Sequence, residues 1–242
     1  MPGIHRAAVS VLGALALSAA IAASAAAPDA PAAAAPVVDL PPAVLDRYTG
    51  YYRLSETAVI TITRAGSQLS AQLTGQPAAE IYPENPASFI YKIVAARIDF
   101  VPDPPMEITS LVLHQRGVDH IAQRIDEAEA QRIAAAVATR LQDQSPAPGS
   151  EQAVRLLLAG IALGKPNYDQ MGPELASATQ AQLPQLQSGL KALGAVQSVV
   201  FQGVGNQGWD LYLVRHEHGT SQVRILLGAN GIINGALITA GP

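Results

Sequence analysis

The chain has 242 residues, of which 49% are hydrophobic and 14% charged, with a formal net charge of −4 and no cysteine. Binding to nucleic acid needs a basic face, so this charge balance argues against a nucleic-acid partner. Without cysteine, the chain forms no disulfide, no thiolate nucleophile and no cysteine-ligated metal centre. The low charged fraction and high apolar fraction are typical of a folded protein rather than a disordered one.

The first 25 residues have the three parts of a secretory signal peptide. His5 and Arg6 form a short positive start, the uncharged run 7–22 is rich in Ala and Leu, and Ala23-Ser24-Ala25 reads as a cleavage site. The apolar run is shorter than the ~20 residues that a membrane span needs. The sequence therefore predicts a periplasmic or secreted protein, with membrane contact only through an uncleaved signal.

Two Pro-rich segments divide the remaining chain. One lies within 26–45 and the other between Asp143 and Ser150. Such composition is typical of solvated, semi-extended linkers. The predicted organisation is a linker over 26–45, a first domain over 46–125, a connecting helix and linker over 126–150, and a second domain over 151–242.

The first domain is dense in short strand patterns. A β-branched run spans Val59 to Thr63, and two alternating runs meet at the turn Arg116-Gly117. About eight strands at roughly ten-residue spacing predict an antiparallel meander. Eight such strands can close and so remove their exposed edges. We expect a small β-barrel or half-barrel, followed by a helix that begins at Asp126.

The second domain predicts helices first and strands after them. Apolar residues at helical spacing predict one helix around 154–161 and another around 173–193, with a kink or restart at Pro184. Four strands follow, and Asn230-Gly231 favours a hairpin between the last two. The predicted fold class is α+β, with helices on a curved four-stranded antiparallel sheet.

Several segments of the first domain resemble a known β domain. These are Tyr48–Leu54, Ile60–Arg64, Leu73–Pro77, Ile81–Glu84 and Leu111–Gly117. In order and spacing they are similar to the lipocalin-like domain found at the C-terminus of beta-lactamase-related serine hydrolases, a domain of unknown function. The catalytic domain that usually precedes it has no counterpart in these residues, so the resemblance implies an accessory or binding module.

The second domain resembles the nuclear transport factor 2-like or cystatin-like α+β cone. The similar features are Tyr168–Leu175 at the start of a helix, Leu193-Gly194 before the strands, and the Asn230-Gly231 hairpin. Some such cones are enzymes, and many only bind or dimerise. No motif aligns a catalytic residue here, and a fold alone does not imply an activity.

Isolated chemical motifs lack the partners that catalysis or metal binding needs. Ser188 and Lys191 match the S-x-x-K pattern, but the further elements of that chemistry are missing. The pairs His216/His218 and His114/His120 each lack a third ligand for zinc. We therefore predict no catalytic residue, no metal and no cofactor. A hydrolase or isomerase in the cone is the alternative, which a buried acid in a concave site would favour; the candidate acids are Asp169, Glu174 and Asp210.

The remaining candidates are apolar side chains that could line a concave surface. Trp209 follows a turn glycine, and we expect it to be half exposed. The sequence predicts a non-enzymatic accessory or binding module for a small apolar ligand or an envelope protein, with dimerisation through the C-terminal sheet as a further alternative. The predicted ligand-binding residues are Trp209, Phe201 and Met171 in the cone, and Tyr51, Tyr82, Tyr91 and Phe100 in the barrel.

Overall fold

The computed structural model describes residues 38–103 and 107–241. The chain forms two compact units that divide within one helix, between Ala138 and Thr139. The predicted signal peptide over 1–25 and most of the predicted linker lie outside the described residues. No helix among the described residues is long and apolar enough to cross a membrane.

The first unit is a closed barrel of eight antiparallel strands. Each strand pairs with the next, and pairing of the first strand with the eighth closes the sheet. The predicted β-barrel is thus confirmed, in its closed form. Its strands are β1 Gly50–Arg53, β2 Val59–Ala65, β3 Gln68–Leu73, β4 Ala79–Pro83, β5 Ser88–Tyr91, β6 Ala96–Asp103, β7 Glu107–Gln115 and β8 Val118–Ile125.

Aromatic rings fill part of the barrel interior. Tyr48, Tyr52, Phe89 and Phe100 form an aromatic cluster in which neighbouring ring centroids lie 4.6 to 5.8 Å apart. All four are buried. Tyr52, Phe89 and Phe100 point inward by the alternation of their strands, and Tyr48 comes from the turn that precedes β1. Aliphatic residues surround the cluster: Ile60, Ile62, Leu69, Ile81, Ile98 and Leu111.

One end of the barrel carries an N-terminal plug, Pro42–Tyr48, formed by α1 (Pro42–Leu45) and a 3-10 turn. The semi-extended linker predicted up to residue 45 is therefore wrong from Pro42 onward, because Pro42 suits the first turn of a helix and Leu45 is buried. Arg124 ties the plug to the barrel. Its guanidinium donates to the carbonyl oxygens of Arg47, Thr49 and Ile108 at 3.2, 2.5 and 3.1 Å.

Three longer helices follow: α2 (Glu127–Asp143), α3 (Ser150–Leu163) and α4 (Pro173–Leu193). The side chain of Asp126 accepts a hydrogen bond from the Glu129 amide at 2.7 Å, which caps the start of α2. The sequence predicts a kink or a restart at Pro184; α4 continues through this residue, so the restart does not occur. Tertiary packing of its buried face outweighs the hydrogen bond that Pro184 cannot donate.

The second unit contains a four-stranded antiparallel sheet in the order β12-β11-β10-β9. Its strands are β9 Val196–Val204, β10 Asp210–His216, β11 Gly219–Leu227 and β12 Ile233–Ala240. The helices α3 and α4 cover one face of this sheet, which confirms the α+β class. Their shared core includes Val154, Leu158, Leu186, Tyr212, Val214, Val223 and Ile225.

Candidate functional site

A cavity of about 560 Å³ lies in the second unit, where the first turn of α3 passes over β9 and β10. The rings of Phe201 and Tyr212 meet edge to face at its base, with centroids 5.5 Å apart. We call it the α3 cavity. It is lined by Pro146, Ala147, Pro148, Gly149, Ser150, Glu151, Gln152, Arg155, Phe201 and Tyr212.

A turn at Gly149 brings the chain into the α3 cavity. Gly149 has a φ of 81°, a left-handed conformation that glycine adopts at little cost. The next residue, Ser150, is fully buried, and its hydroxyl lies 2.5 Å from that of Tyr212. Burial raises the pKa of Tyr212, so its phenol stays protonated at neutral pH. The base of the cavity is therefore aromatic and uncharged.

An ion pair with a buried carboxylate holds the loop that forms one wall of the α3 cavity. Asp210 is 1% exposed and accepts hydrogen bonds from the guanidinium of Arg140 and, at 2.9 Å, from the amide of Ala147. Arg140 also donates to the carbonyl of Ser145 at 3.1 Å. Both carboxylate oxygens are thus engaged, so Asp210 positions the loop 145–149 rather than facing a ligand.

The rim of the cavity carries two opposite charges that pair with each other. The Nε and Nη2 atoms of Arg155 lie 3.0 and 2.8 Å from one carboxylate oxygen of Glu151, one helical turn away. Both side chains are about half exposed. Because the two charges offset each other, the rim selects strongly for neither an anion nor a cation.

The three predicted residues of the second unit have different surroundings. Phe201 lies in the wall of the α3 cavity. Met171 is 7% exposed and belongs to the core beneath the helices. Trp209 is 6% exposed, so the prediction of a half-exposed ring is wrong. Its ring lies directly over Gly235, where an added Cβ would come within 2.2 Å of the indole.

The four predicted residues of the barrel do not meet in one place. Phe100 is part of the aromatic cluster, and Tyr91 also points inward, because it pairs directly with the inward residue Ile81. Burial raises the pKa of Tyr91 to about 12. Tyr51 and Tyr82 point outward by the same alternation. Tyr82 donates to Glu80, which raises the pKa of its phenol, and Lys92 Nζ lies 3.5 Å from its ring centroid.

Two of the four histidines that the sequence singled out, His114 and His216, have carboxylate, hydroxyl or carbonyl partners. On the outer face of the barrel, His114 Nδ1 lies 2.6 Å from Asp119 and its Nε2 lies 2.9 Å from Asp99. His216 is buried, with Nε2 2.9 Å from the Ser221 hydroxyl. Within 38–103 and 107–241, no group of three or more histidine and acidic side chains could hold a metal ion.

The three acids that were candidates for a hydrolase or isomerase differ in their exposure. Asp169 and Glu174 are exposed, and only Asp210 is buried. Ser188 and Lys191 are both exposed on α4.

Sequence reasoning missed the Arg140–Asp210 pair and the burial of Ser150. Arg140 and Asp210 lie 70 residues apart, and no periodic pattern relates them. No protein-family model matches the chain, and no curated protein matches it.

Proposed function

We propose that this chain is a periplasmic or secreted, non-enzymatic binding module that holds a small, largely apolar molecule in the α3 cavity. The observation that carries the proposal is the aromatic base of this cavity, formed by Phe201 and Tyr212. The interior of the barrel, by contrast, holds the aromatic cluster. The second unit therefore offers the better place for a ligand.

The size and chemistry of the cavity favour a ring-containing ligand. Its volume is about 560 Å³ and it is open to solvent, so a ligand would lie against Phe201 and Tyr212 without being fully enclosed. The loop supplies the apolar walls Pro146 and Pro148, and Gln152 supplies an amide at the rim. A flat ring placed against Phe201 would bury apolar surface, and one polar substituent could hydrogen bond to Gln152.

Further support comes from the sequence. The signal peptide predicted over residues 1–25 would deliver the protein across a membrane, and N-terminal sequencing of the exported protein is expected to start at Ala26. We assign the barrel to the lipocalin-like accessory domains and the second unit to the α+β cones on the resemblances given above. Both resemblances are compatible with binding without catalysis.

The ligand is to be sought by native mass spectrometry of the protein isolated gently from a bacterial periplasm. We expect a retained mass of a few hundred daltons on the wild-type chain. The variant Phe201→Ala is expected to lose it, because it removes part of the cavity wall. The matched control is Tyr82→Ala, which truncates an outward aromatic side chain of the barrel and should keep the ligand.

A titration with the fluorescent probe 8-anilinonaphthalene-1-sulfonate gives a second readout. Burying one aromatic side chain against a ligand contributes ~1.5–3 kcal/mol, so Phe201→Ala should weaken probe binding by at least ~10-fold. Equal affinity of the probe for wild type, Phe201→Ala and Tyr82→Ala would contradict the α3 cavity as the site.

A hydrolase or isomerase has less support, because Asp210, the one buried acid among the three candidates, has both carboxylate oxygens engaged and does not line the α3 cavity. Asp210→Asn keeps the shape of this side chain and removes its charge. Conversion of the retained molecule by wild type, but not by Asp210→Asn, would favour the enzymatic alternative. Unchanged release of that molecule by both proteins supports binding alone.

A further inference from the structure

The strand β9 forms one edge of the C-terminal sheet. It spans nine residues, Val196–Val204, and it pairs only with β10 among the residues that the structure describes. The backbone groups on the other side of an edge strand can pair with another strand. β9 is therefore a surface where a further chain could extend the sheet.

The composition of β9 leaves this edge open to pairing. Its sequence, VQSVVFQGV, contains no charged residue and no proline. Natural edge strands are commonly blocked by lysine, proline or a bulge. Val200, near the middle of the strand, is 46% exposed and is one of few large hydrophobic residues with such exposure.

Features that limit further pairing lie at both ends of β9. At the C-terminal end, the side-chain amide of Gln144 accepts from the Val204 amide at 2.9 Å and donates to the Val204 carbonyl at 3.2 Å. Register shifts in the pairing with β10 fall at both ends, one next to Gly203 and the other between Val196 and Ser198. The stretch 198–201 lies between these shifts, so it is the open part of the edge.

The opposite edge of the sheet differs. The start of β12 is covered, because Met171 forms a bridge with Ile233 and the Gly172 amide donates to the Ile233 carbonyl at 2.9 Å. None of the large hydrophobic residues exposed in the second unit lies on β12. β9 is therefore the stronger candidate for an interface.

We propose that a second copy of this chain pairs with β9 in antiparallel orientation, so that two four-stranded sheets join into one across a two-fold axis. In a two-fold interface the same strand lies on both sides, so its side chains must not repel their own copies. The chain has a net charge of −4, but β9 carries no charged residue, so two copies of β9 bring no like charges together. The exposed Val200 would lose contact with water in the pair.

Pairing through β9 would also place the second copy beside the α3 cavity. Phe201 lies on β9 and in the wall of that cavity. Paired strands are ~4.8 Å apart, so the partner's β9 would run next to Phe201. The two cavities of the dimer would then flank the two-fold axis. Dimerisation itself does not require that either cavity holds a ligand.

Light scattering coupled to gel filtration tests the dimer at ~10–100 μM protein. We expect wild type to show twice the mass of one chain. Val200→Lys should be a monomer, with a dissociation constant raised at least ~10-fold, because charges close across a pair of strands repel each other. The matched control is Ile121→Lys, which changes a 62% exposed residue on the barrel and should remain a dimer.

Cross-linking keeps the proposal testable if Val200→Lys fails to fold. The chain has no cysteine, so Val200→Cys carries a single thiol. Neighbouring positions across antiparallel strands lie within ~8 Å, so a short bismaleimide should link two chains of Val200→Cys but not of Ile121→Cys. A wild-type monomer over the whole concentration range, or equal cross-linking of both variants, would overturn the proposal. The native mass measurement on Phe201→Ala is independent of either outcome.

Discussion

The two units treat their strand edges in opposite ways. In the barrel, β1 pairs with β8, so each of the eight strands has a neighbour on both sides. In the second unit, four strands form an open sheet, with helices over one face and β9 and β12 at its edges. A closed sheet has no edge strand, whereas each edge strand of an open sheet has backbone groups that can pair with another chain.

The contents of the two units follow from this difference. An eight-stranded barrel is just wide enough for side chains to fill, and here the aromatic cluster and the N-terminal plug occupy it. In the second unit, α3 begins only after the loop 145–149, and the α3 cavity lies where its first turn meets the edge of the sheet. The binding site that we propose accordingly lies in the open unit.

The largest expected effect tests whether the barrel interior is tightly filled. Phe89 is fully buried and contacts the rings of Tyr48 and Phe100. Phe89→Ala should lower the free energy of unfolding by about 4 kcal/mol, because it removes buried apolar surface and leaves a cavity. Urea unfolding followed by far-ultraviolet circular dichroism measures this loss.

The control for that measurement is Tyr82→Ala, which truncates an outward side chain and should cost under about 1 kcal/mol. A loss of less than about 2 kcal/mol for Phe89→Ala would mean that the barrel interior is loosely filled. The contrast between the two units would then weaken, since the barrel could also take up a ligand.

The next effect concerns the ion pair behind the α3 cavity. Asp210→Ala should destabilise the second unit by about 3 kcal/mol, because Arg140 and the Ala147 amide both lose a buried partner. This is the low end of the range for buried pairs, since Arg140 is 29% exposed and can turn toward water. The fluorescence of Trp209, the only tryptophan of the chain, reports the transition.

Asp210→Asn serves as the control, because an amide oxygen can still accept from Ala147. We expect it to recover part of the lost stability. Equal stability of wild type and Asp210→Ala would show that the loop 145–149 is held by other contacts.

A smaller effect tests the close contact between Trp209 and Gly235. Gly235→Ala would bring a methyl group within 2.2 Å of the indole, and overpacking of this kind costs about 2 kcal/mol. Adding Trp209→Phe should restore part of the loss, because the smaller ring leaves room for the methyl group. Unfolding followed by circular dichroism in a double-mutant cycle measures this coupling. If the losses of stability in the two single variants add up in the double variant, the contact with Trp209 is not the cause of the loss in Gly235→Ala.

Local sequence signals were sufficient for most of the fold. Alternation and turn residues located the strands on both sides of Arg116-Gly117, and helical spacing located α3 and α4. Those signals act between residues close in sequence. The plug was not predicted, because Pro42 lies in a Pro-rich stretch whose composition is typical of a linker. Its ordered structure depends on the burial of Leu45 and Tyr48, which the composition does not reveal.

The candidate site was less accessible from the sequence. Phe201 was predicted as a ligand-binding residue, and it does line a cavity. The rest of that cavity comes from Tyr212 on β10, the loop 146–149 and the start of α3. The sequence marked this loop and helix start only as a linker and the beginning of a helix. Trp209 is buried because Gly235, on a different strand, leaves room for its ring. Such contacts are long range and leave no periodic pattern.

The smallest expected effect is a pH dependence confined to the second unit. Burial lowers the pKa of His216 below its ordinary 6.5. The neutral ring fits its surroundings, since Nδ1 can donate to the Gly194 carbonyl at 3.3 Å while Nε2 accepts from Ser221 at 2.9 Å. Below pH 6.5 the unfolded chain takes up a proton at His216 more readily than the folded chain does.

The contribution of His216 to the free energy of unfolding is therefore fully present above pH 6.5. It is lost as the pH falls from 6.5 through the lowered pKa of the folded state. One proton changes stability by at most about 1.4 kcal/mol per pH unit. Urea unfolding at pH ~7.5 and ~5, followed by Trp209 fluorescence, should show a smaller loss for His216→Gln than for wild type. His218→Gln, an exposed neighbour, should keep the wild-type difference. If both variants behave alike, the acid sensitivity of the open sheet arises from groups other than His216.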